Sequence, residues 1–195
     1  MTALVLANTG QVVSMASDTA ISEGGQTTGH GTKLLLLPHV NAVLTGAGNV
    51  AMGCYVEAAV KHATSDTAAD LRRQLPKLMR EAVGRFMAAH GSALEADHQG
   101  AAAFVLGTRD GLFFFNDLDD FREMKLSPGI VVDPAIDGAS YAPGPFGGDK
   151  HMVRLMRRQQ TEAPAWRVIG GDVIRVKLQR DGMDVRRIGN LDRKA

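Results

Sequence analysis

The chain has 195 residues, enough for one domain with a sizeable core. Lys and Arg total 22 against 21 Asp and Glu, a formal net charge of +1, so charge gives no argument for a nucleic-acid or membrane partner. The single cysteine, Cys54, excludes an intrachain disulfide and fits a reducing cytosol. No charged leader opens the chain and no apolar run approaches the length of a membrane span, so a cytoplasmic protein is expected.

Residues 4–7 and 11–16 predict two strands joined by Asn8-Thr9-Gly10, and 33–37 and 41–45 predict a second pair joined through Pro38-His39. His39 at that turn, and His30 between glycines, read as solvent-facing rather than catalytic. From Asn49 to about His62 the period becomes helical, and Cys54 within it reads as a buried structural thiol. Asp66 or Thr67 then caps a longer helix reaching His90. Its buried stripe is Leu71, Leu75, Leu78, Met79, Ala82, Val83, Phe86 and Met87, and Pro76 should kink it or mark its effective start.

Residues 101–107 and 112–115 form a strand–turn–strand about Arg109-Asp110-Gly111. The acidic run from Asn116 to Asp120 lacks the glycine and terminal glutamate of a calcium loop and reads as a solvated turn. Residues 121–145, rich in proline and glycine, are hard to place in any element. A third helix is expected from about Asp149 to Gln160, and a closing hairpin over 173–178 and 185–188. The C-terminal third is basic but lacks interleaved aromatics, so a solvated or subunit-contact face is expected. Without an internal repeat or low-complexity linker, residues 1–195 read as one domain.

The chemistry concentrates in the first fifty residues. Thr2 follows Met1, and removal of Met1 by ordinary processing would give Thr2 a free α-amine beside its own hydroxyl. Such an amine, with an unperturbed pKa near ~8, is a general base for the attached Oγ. A nearby ammonium lowers the pKa of both groups, and a carboxylate holds that ammonium in place; Lys33 and Asp18 are the candidates. After the third apolar run come Gly46-Ala47-Gly48, where the absence of a side chain would leave the Gly46 N–H open to a developing oxyanion.

Thr2, Asp18, Lys33 and the Thr45-Gly46-Ala47-Gly48 turn resemble the N-terminal half of a proteasome β-type subunit, or of the related bacterial peptidases among the N-terminal-nucleophile hydrolases. Asp18 follows Thr2 by the sixteen residues of that pattern, and Lys33 follows Asp18 by fifteen, one short of it. The resemblance implies an α+β fold, a four-layer αββα sandwich of two antiparallel sheets flanked by helices. It also implies a threonine-type peptidase acting on peptide or unfolded protein inside a homo-oligomeric ring, with no cofactor or metal. Any ATPase unfoldase would be a separate partner, because the chain has no phosphate-binding loop.

The pattern also fails in places. Aligning Pro145-Phe146 puts Ala142 where active members carry a serine that holds the terminal amine. Aligning Gly170-Gly171 puts Trp166 and Ile169 at the supporting aspartate and second serine, with Ser140 and Asp172 as nearby substitutes. A catalytically weak or inactive ring or scaffold subunit is therefore the rival reading, and a small-molecule amidohydrolase the third.

Overall fold

In a computed structural model, residues 3–23, 26–47, 50–94, 102–142, 144–164 and 168–192 are described. Strand β1 (Leu4–Asn8) is buried along its whole length. A strand whose two faces alternate can be buried throughout only if both faces are covered, and that condition organises everything around it.

The chain continues as β2 (Val13–Asp18), β3 (Ala20–Glu23), β4 (Gln26–His30), β5 (Leu34–Leu37) and β6 (Ala42–Ala47). Two helices follow, α1 (Val50–Lys61) and α2 (Ala68–Leu94), then β7 (Ala103–Thr108), β8 (Gly111–Asn116) and β9 (Met124–Lys125). The last third holds β10 (Gly129–Ile136), β11 (Ala139–Ala142), α3 (Gly148–Glu162), β12 (Asp172–Gln179) and β13 (Gly182–Asn190). Among the described residues this is an α+β arrangement of three helices and three antiparallel sheets. The largest sheet runs β11-β10-β1-β2-β12-β13, the second β5-β6-β7-β8-β9, and β3-β4 stand as a pair.

Three apolar clusters account for the burial. Leu4, Leu6, Val13, Met15, Val176 and Leu178 of the six-stranded sheet meet Leu34, Val43, Val105 and Leu112 of the five-stranded sheet. The alternate residues of β1, Val5 and Ala7, turn the other way, with Ile130 and Val132 of β10, onto Met152, Leu155 and Met156 of α3. The outer face of the five-stranded sheet, through Leu44, Phe104, Leu106, Phe113 and Phe115, takes Val56 and Val60 of α1 and Leu71, Leu75, Met79 and Phe86 of α2. Each such large side chain contributes roughly 1.5–3 kcal/mol on burial.

Several expectations change. Helices α1 and α2 follow six strands rather than four, because β3 and β4 pair as a further two-stranded sheet, with Ala20 buried and residues 26–28 exposed. The segment 121–145, hard to place from its sequence, contributes β9, β10 and β11, and residues 129–133 of β10 pair with the whole of β1. Cys54 is exposed, not buried; the core stripe of α1 is Met52, Val56 and Val60, and a residue two positions off such a stripe points away from it. Met87 is likewise exposed at the end of the α2 stripe. Helix α2 begins eight residues before Pro76, which therefore does not mark its start.

Of the two proposed caps, Thr67 is the one used. Its Oγ1 accepts the Asp70 N–H at 3.1 Å and donates to the Asp70 carboxylate at 2.7 Å, a reciprocal cap of the helix N-terminus. The Thr67 hydroxyl, with Arg73 beside it, holds the Asp70 carboxyl below the usual carboxylate range. Asn116 Oδ1 accepts the Asp119 N–H at 2.8 Å and Asp120 pairs with Arg80 at 3.1 Å, so the acidic run is a capped 3-10 turn. Much of the basic C-terminal third is paired internally. Arg158 meets Asp137 and Glu162, Arg187 meets Asp172, and the buried Arg175 reaches Asp184 at 2.6 Å. Among the described residues no helix is long and apolar enough to cross a membrane, and no group of three or more His, Cys, Asp or Glu is placed to hold a metal ion.

Candidate active site

Strand β2 ends on Asp18, whose side chain is fully buried. A charge in that position is tolerable only if donors surround it, and three do. Oδ1 accepts the Lys33 ammonium at 2.7 Å and the Ala3 N–H at 2.8 Å, and Oδ2 accepts the Gly170 N–H at 3.2 Å. Lys33 keeps 14% of its side chain exposed, so the pair is buried on the aspartate side and open on the lysine side. The backbone of Lys33 is pinned by Thr45, whose Oγ1 donates to the Lys33 carbonyl at 2.9 Å.

The donor from Gly170 is held by an interlock just beyond Asp18. Ala20 N–H donates to the Gly170 carbonyl at 3.1 Å, and Gly31 N–H to the Thr19 carbonyl at 2.9 Å. Thr19 Oγ1 accepts the Asp172 N–H at 2.9 Å and lies 3.4 Å from His30 Nδ1, an exposed ring at the end of β4. Three stretches far apart in sequence, 18–20, 30–31 and 170–172, thus close around one carboxylate.

Gly46 lies inside β6, opposite Phe104 of β7, rather than in a turn after the strand. Leu34 is opposite Thr45, which brings Lys33 alongside Gly46. A Cβ at Gly46 would sit 2.7 Å from Phe104 Cδ1 and 3.1 Å from the Ala103 carbonyl oxygen. The glycine is therefore demanded first by the Phe104 ring. Gly46→Ala is expected to cost about 1–3 kcal/mol of stability in urea unfolding by overpacking. Most of that loss should return in Gly46→Ala/Phe104→Leu, which makes room for the methyl group. A double variant no more stable than the single one would show that Phe104 is not what excludes the side chain.

The structure brings Asp18, Lys33 and Gly46 together; Thr2, like Gly48 and Trp166, lies outside the described residues. Thr2 is nonetheless one peptide bond from Ala3, whose N–H is on Asp18. Ala142 pairs with Ile130, which pairs with Ala7, so it lies level with the far end of β1 from Ala3. The alignment on Pro145-Phe146 thus puts Ala142 at a position remote from the buried pair. Ile169 is adjacent to Gly170 but buried in the apolar cluster under α3. Asp172 is held by Asn190 at 2.7 Å and Arg187 at 2.8 Å, and Ser140 is exposed on the edge strand β11. The Gly170 donor was not identifiable as such from sequence, where the glycine pair signalled only the strand that follows it.

No protein-family profile and no curated protein sequence matches the chain. Solved structures do. The Gly-1 mutant of Anbu from Hyphomicrobium sp. strain MC1 is 17% identical with a TM-score of 0.66, over 98% of this chain and 88% of that one. Anbu from Yersinia bercovieri, described as an ancestral beta-subunit, is 14% identical with a TM-score of 0.63, over 96% and 87%. The helical assembly of the Anbu complex from Pseudomonas aeruginosa gives 14%, 0.67, 95% and 86%. At such identities the likeness establishes the fold. It also corrects the resemblance to a proteasome β-type subunit, since these neighbours are Anbu proteins. A pattern of four short motifs does not separate one branch of a fold from another.

Proposed function

We propose that this chain is an N-terminal threonine hydrolase that cleaves amide bonds in peptides, working within a homo-oligomer. The observation that carries the reading is the buried Asp18–Lys33 pair, whose carboxylate also binds the N–H of the residue next to Thr2. In this reading the neutral α-amine of Thr2 takes the proton from Oγ as Oγ adds to the scissile carbonyl. The tetrahedral oxyanion is met by the Gly46 N–H, and the amine returns the proton to the departing nitrogen as the C–N bond breaks. Water, deprotonated by the same amine, then opens the ester to Thr2. Lys33 lowers the pKa values of the nucleophile and base through its charge, and Asp18 keeps Lys33 there.

The three apolar clusters suit the seams of a four-layer αββα sandwich formed by one domain over 1–195. Assembly is supported by the P. aeruginosa neighbour, an Anbu complex in a helical assembly. Ile169, apolar beside Gly170, favours a second reading, a scaffold subunit with a silent site.

Intact mass before and after treatment with an epoxyketone, which needs both the hydroxyl and the amine of a terminal threonine, separates the two. The hydrolase is expected to have lost Met1 and to gain one adduct per chain, absent in Thr2→Ala. Retention of Met1 would sink the threonine mechanism, and loss of Met1 without an adduct would leave the scaffold.

A further inference from the structure

The most exposed large apolar side chain among the described residues is Leu118, with 85% of its surface in water. It stands on the 3-10 turn Asp117–Asp119, and that turn is not free to fold it away. Phe115 and Phe121, both buried in the cluster between the five-stranded sheet and the helices, fix the turn on either side. Asn116 Oδ1 holds the Asp119 N–H, and the Phe121 N–H donates to the Asn116 carbonyl at 2.7 Å. Asp120 and Phe121 both take left-handed backbone, at φ 51° and 56°. That conformation is costly for residues other than glycine and persists only where the surroundings impose it. The chain thus holds a leucine outward on a fixed turn, where it contributes nothing to the chain's own core.

A hollow of matching character lies in the helix layer. Between α1 and α2 runs an open groove of about 570 Å³, with Ala58, Ala59, Ala63 and Leu78 as its apolar lining. Ala58 is exposed and the other three are half-buried, so the two helices leave this strip uncovered. Its rim carries Glu81 and Arg85 of α2. Glu81 is drawn toward Lys77 at 3.8 Å, whereas Arg85 makes no ion pair among the described residues.

Leu118 cannot fill the groove of its own chain. Arg80 pairs with Asp120 and Arg72 with Glu123 at 3.0 Å, which places the turn along the flank of α2 that carries residues 72 and 80. At 3.6 residues per turn, residues 78, 81 and 85 lie roughly 170° around the helix from that flank. The buried stripe of Leu71, Leu75, Met79 and Phe86 runs between the two flanks, against the sheet. The projecting leucine and the groove therefore face away from each other across α2.

We propose that Leu118 of one copy of this chain seats in the α1–α2 groove of the next, with Asp119 set against Arg85. The inference rests on the homo-oligomer of the proposed function and names a surface that builds it. The charges are complementary. Of Asp117, Asp119 and Asp120, only Asp120 makes an ion pair among the described residues, with Arg80, and Asp119 is exposed beside Leu118. An apolar side chain flanked by free carboxylates thus meets an apolar strip flanked by a free guanidinium. Burial of the leucine supplies the affinity, and the rim charges set the register. Because the two surfaces differ and lie on opposite flanks, the contact is head-to-tail. Each copy offers its leucine to one neighbour and its groove to the other, and the contact closes into a ring or runs on as a helix according to the rotation between copies.

The test is sedimentation velocity over a concentration series on the parent, Leu118→Ser, Ala58→Glu, Asp119→Arg, Arg85→Asp and the combined charge exchange. Leu118 and Ala58 are both exposed, so neither substitution reaches the core. The parent is expected to associate beyond a dimer, and Leu118→Ser and Ala58→Glu each to weaken that association about tenfold or more. Asp119→Arg and Arg85→Asp should each weaken it, and the two together should restore it to within about threefold of the parent. A mixture of Leu118→Ser with Ala58→Glu reads the head-to-tail geometry directly. The first keeps a sound groove and the second a sound leucine, so the mixture should form one-to-one pairs that grow no further. Parent-like assembly in both Leu118→Ser and Ala58→Glu overturns the inference and leaves the homo-oligomer to be built on another face. A parent that stays monomeric at every concentration overturns both. A mixture that forms no pairs, when each variant alone has lost association, overturns the head-to-tail contact. Single charge exchanges that lose nothing, or a combined exchange that recovers nothing, overturn the pairing of Asp119 with Arg85.

Discussion

Lys33→Met is expected to abolish epoxyketone labelling and to cost about 3–5 kcal/mol of stability, and adding Asp18→Asn to restore most of the stability but none of the labelling. The first loss follows from burial. Asp18 is fully buried, and removing its cation leaves a carboxylate charge supported by only two backbone N–H groups; breaking a buried pair from one side typically costs that much. Asp18→Asn removes the charge left behind, so the double variant escapes the largest penalty. It does not escape entirely, because one amide oxygen replaces two carboxylate oxygens. The Ala3 and Gly170 N–H groups cannot both keep their acceptor, and a lost partner costs about 1–3 kcal/mol. Activity has no such compensation, since neutral Met and Asn cannot lower the pKa of the nucleophile. Urea unfolding of the four proteins of the cycle measures the coupling. Additive losses would mean that the pair is not coupled in the folded state, and labelling by the double variant would mean that Lys33 plays no part in the chemistry.

The sequence made the pair legible because charged side chains at strand ends leave a spacing that can be read. Asp18 follows the apolar run of β2 and Lys33 precedes that of β5, each where a strand must meet a turn. The inner strands were legible for a similar reason, their apolar runs being bounded by Asn8-Thr9-Gly10 and Pro38-His39. The features that were missed share a cause as well. Strand β10 carries Ile130, Val131 and Val132, but Asp133-Pro134 interrupts the run, and proline within a run argues against a strand. Strand β4 is exposed from Gln26 to Thr28 and has no apolar alternation to read. Gly170 contributes a backbone N–H, which has no residue signature.

The distance between the two sheets is the remaining determinant of the site, and Gly107→Ala tests it. Gly107 of β7 faces β2, and a Cβ there would fall on the sulfur of Met15, with Leu178 Cδ1 only 3.4 Å away. In an open strand the same change would stabilise, because glycine loses more conformational freedom on folding than alanine, by roughly 0.5–1 kcal/mol. Here overpacking at about 1–3 kcal/mol exceeds that gain, and the net sign is expected to be destabilising. Met15→Ala alone should cost about 2–5 kcal/mol by leaving a cavity between the sheets. The two together should cost less than their sum, since the methyl group at 107 occupies part of the space that Met15 vacates. The consequence reaches the chemistry, because Met15 lies on the strand that ends in Asp18, and β7 pairs with the strand that carries Gly46. Forcing β7 from β2 draws the Lys33 side of the site away from Asp18, so Gly107→Ala should also slow labelling, and the double variant should recover part of the rate. Unfolding and labelling that respond independently across the three variants would show that the spacing of the sheets does not set the geometry of the pair.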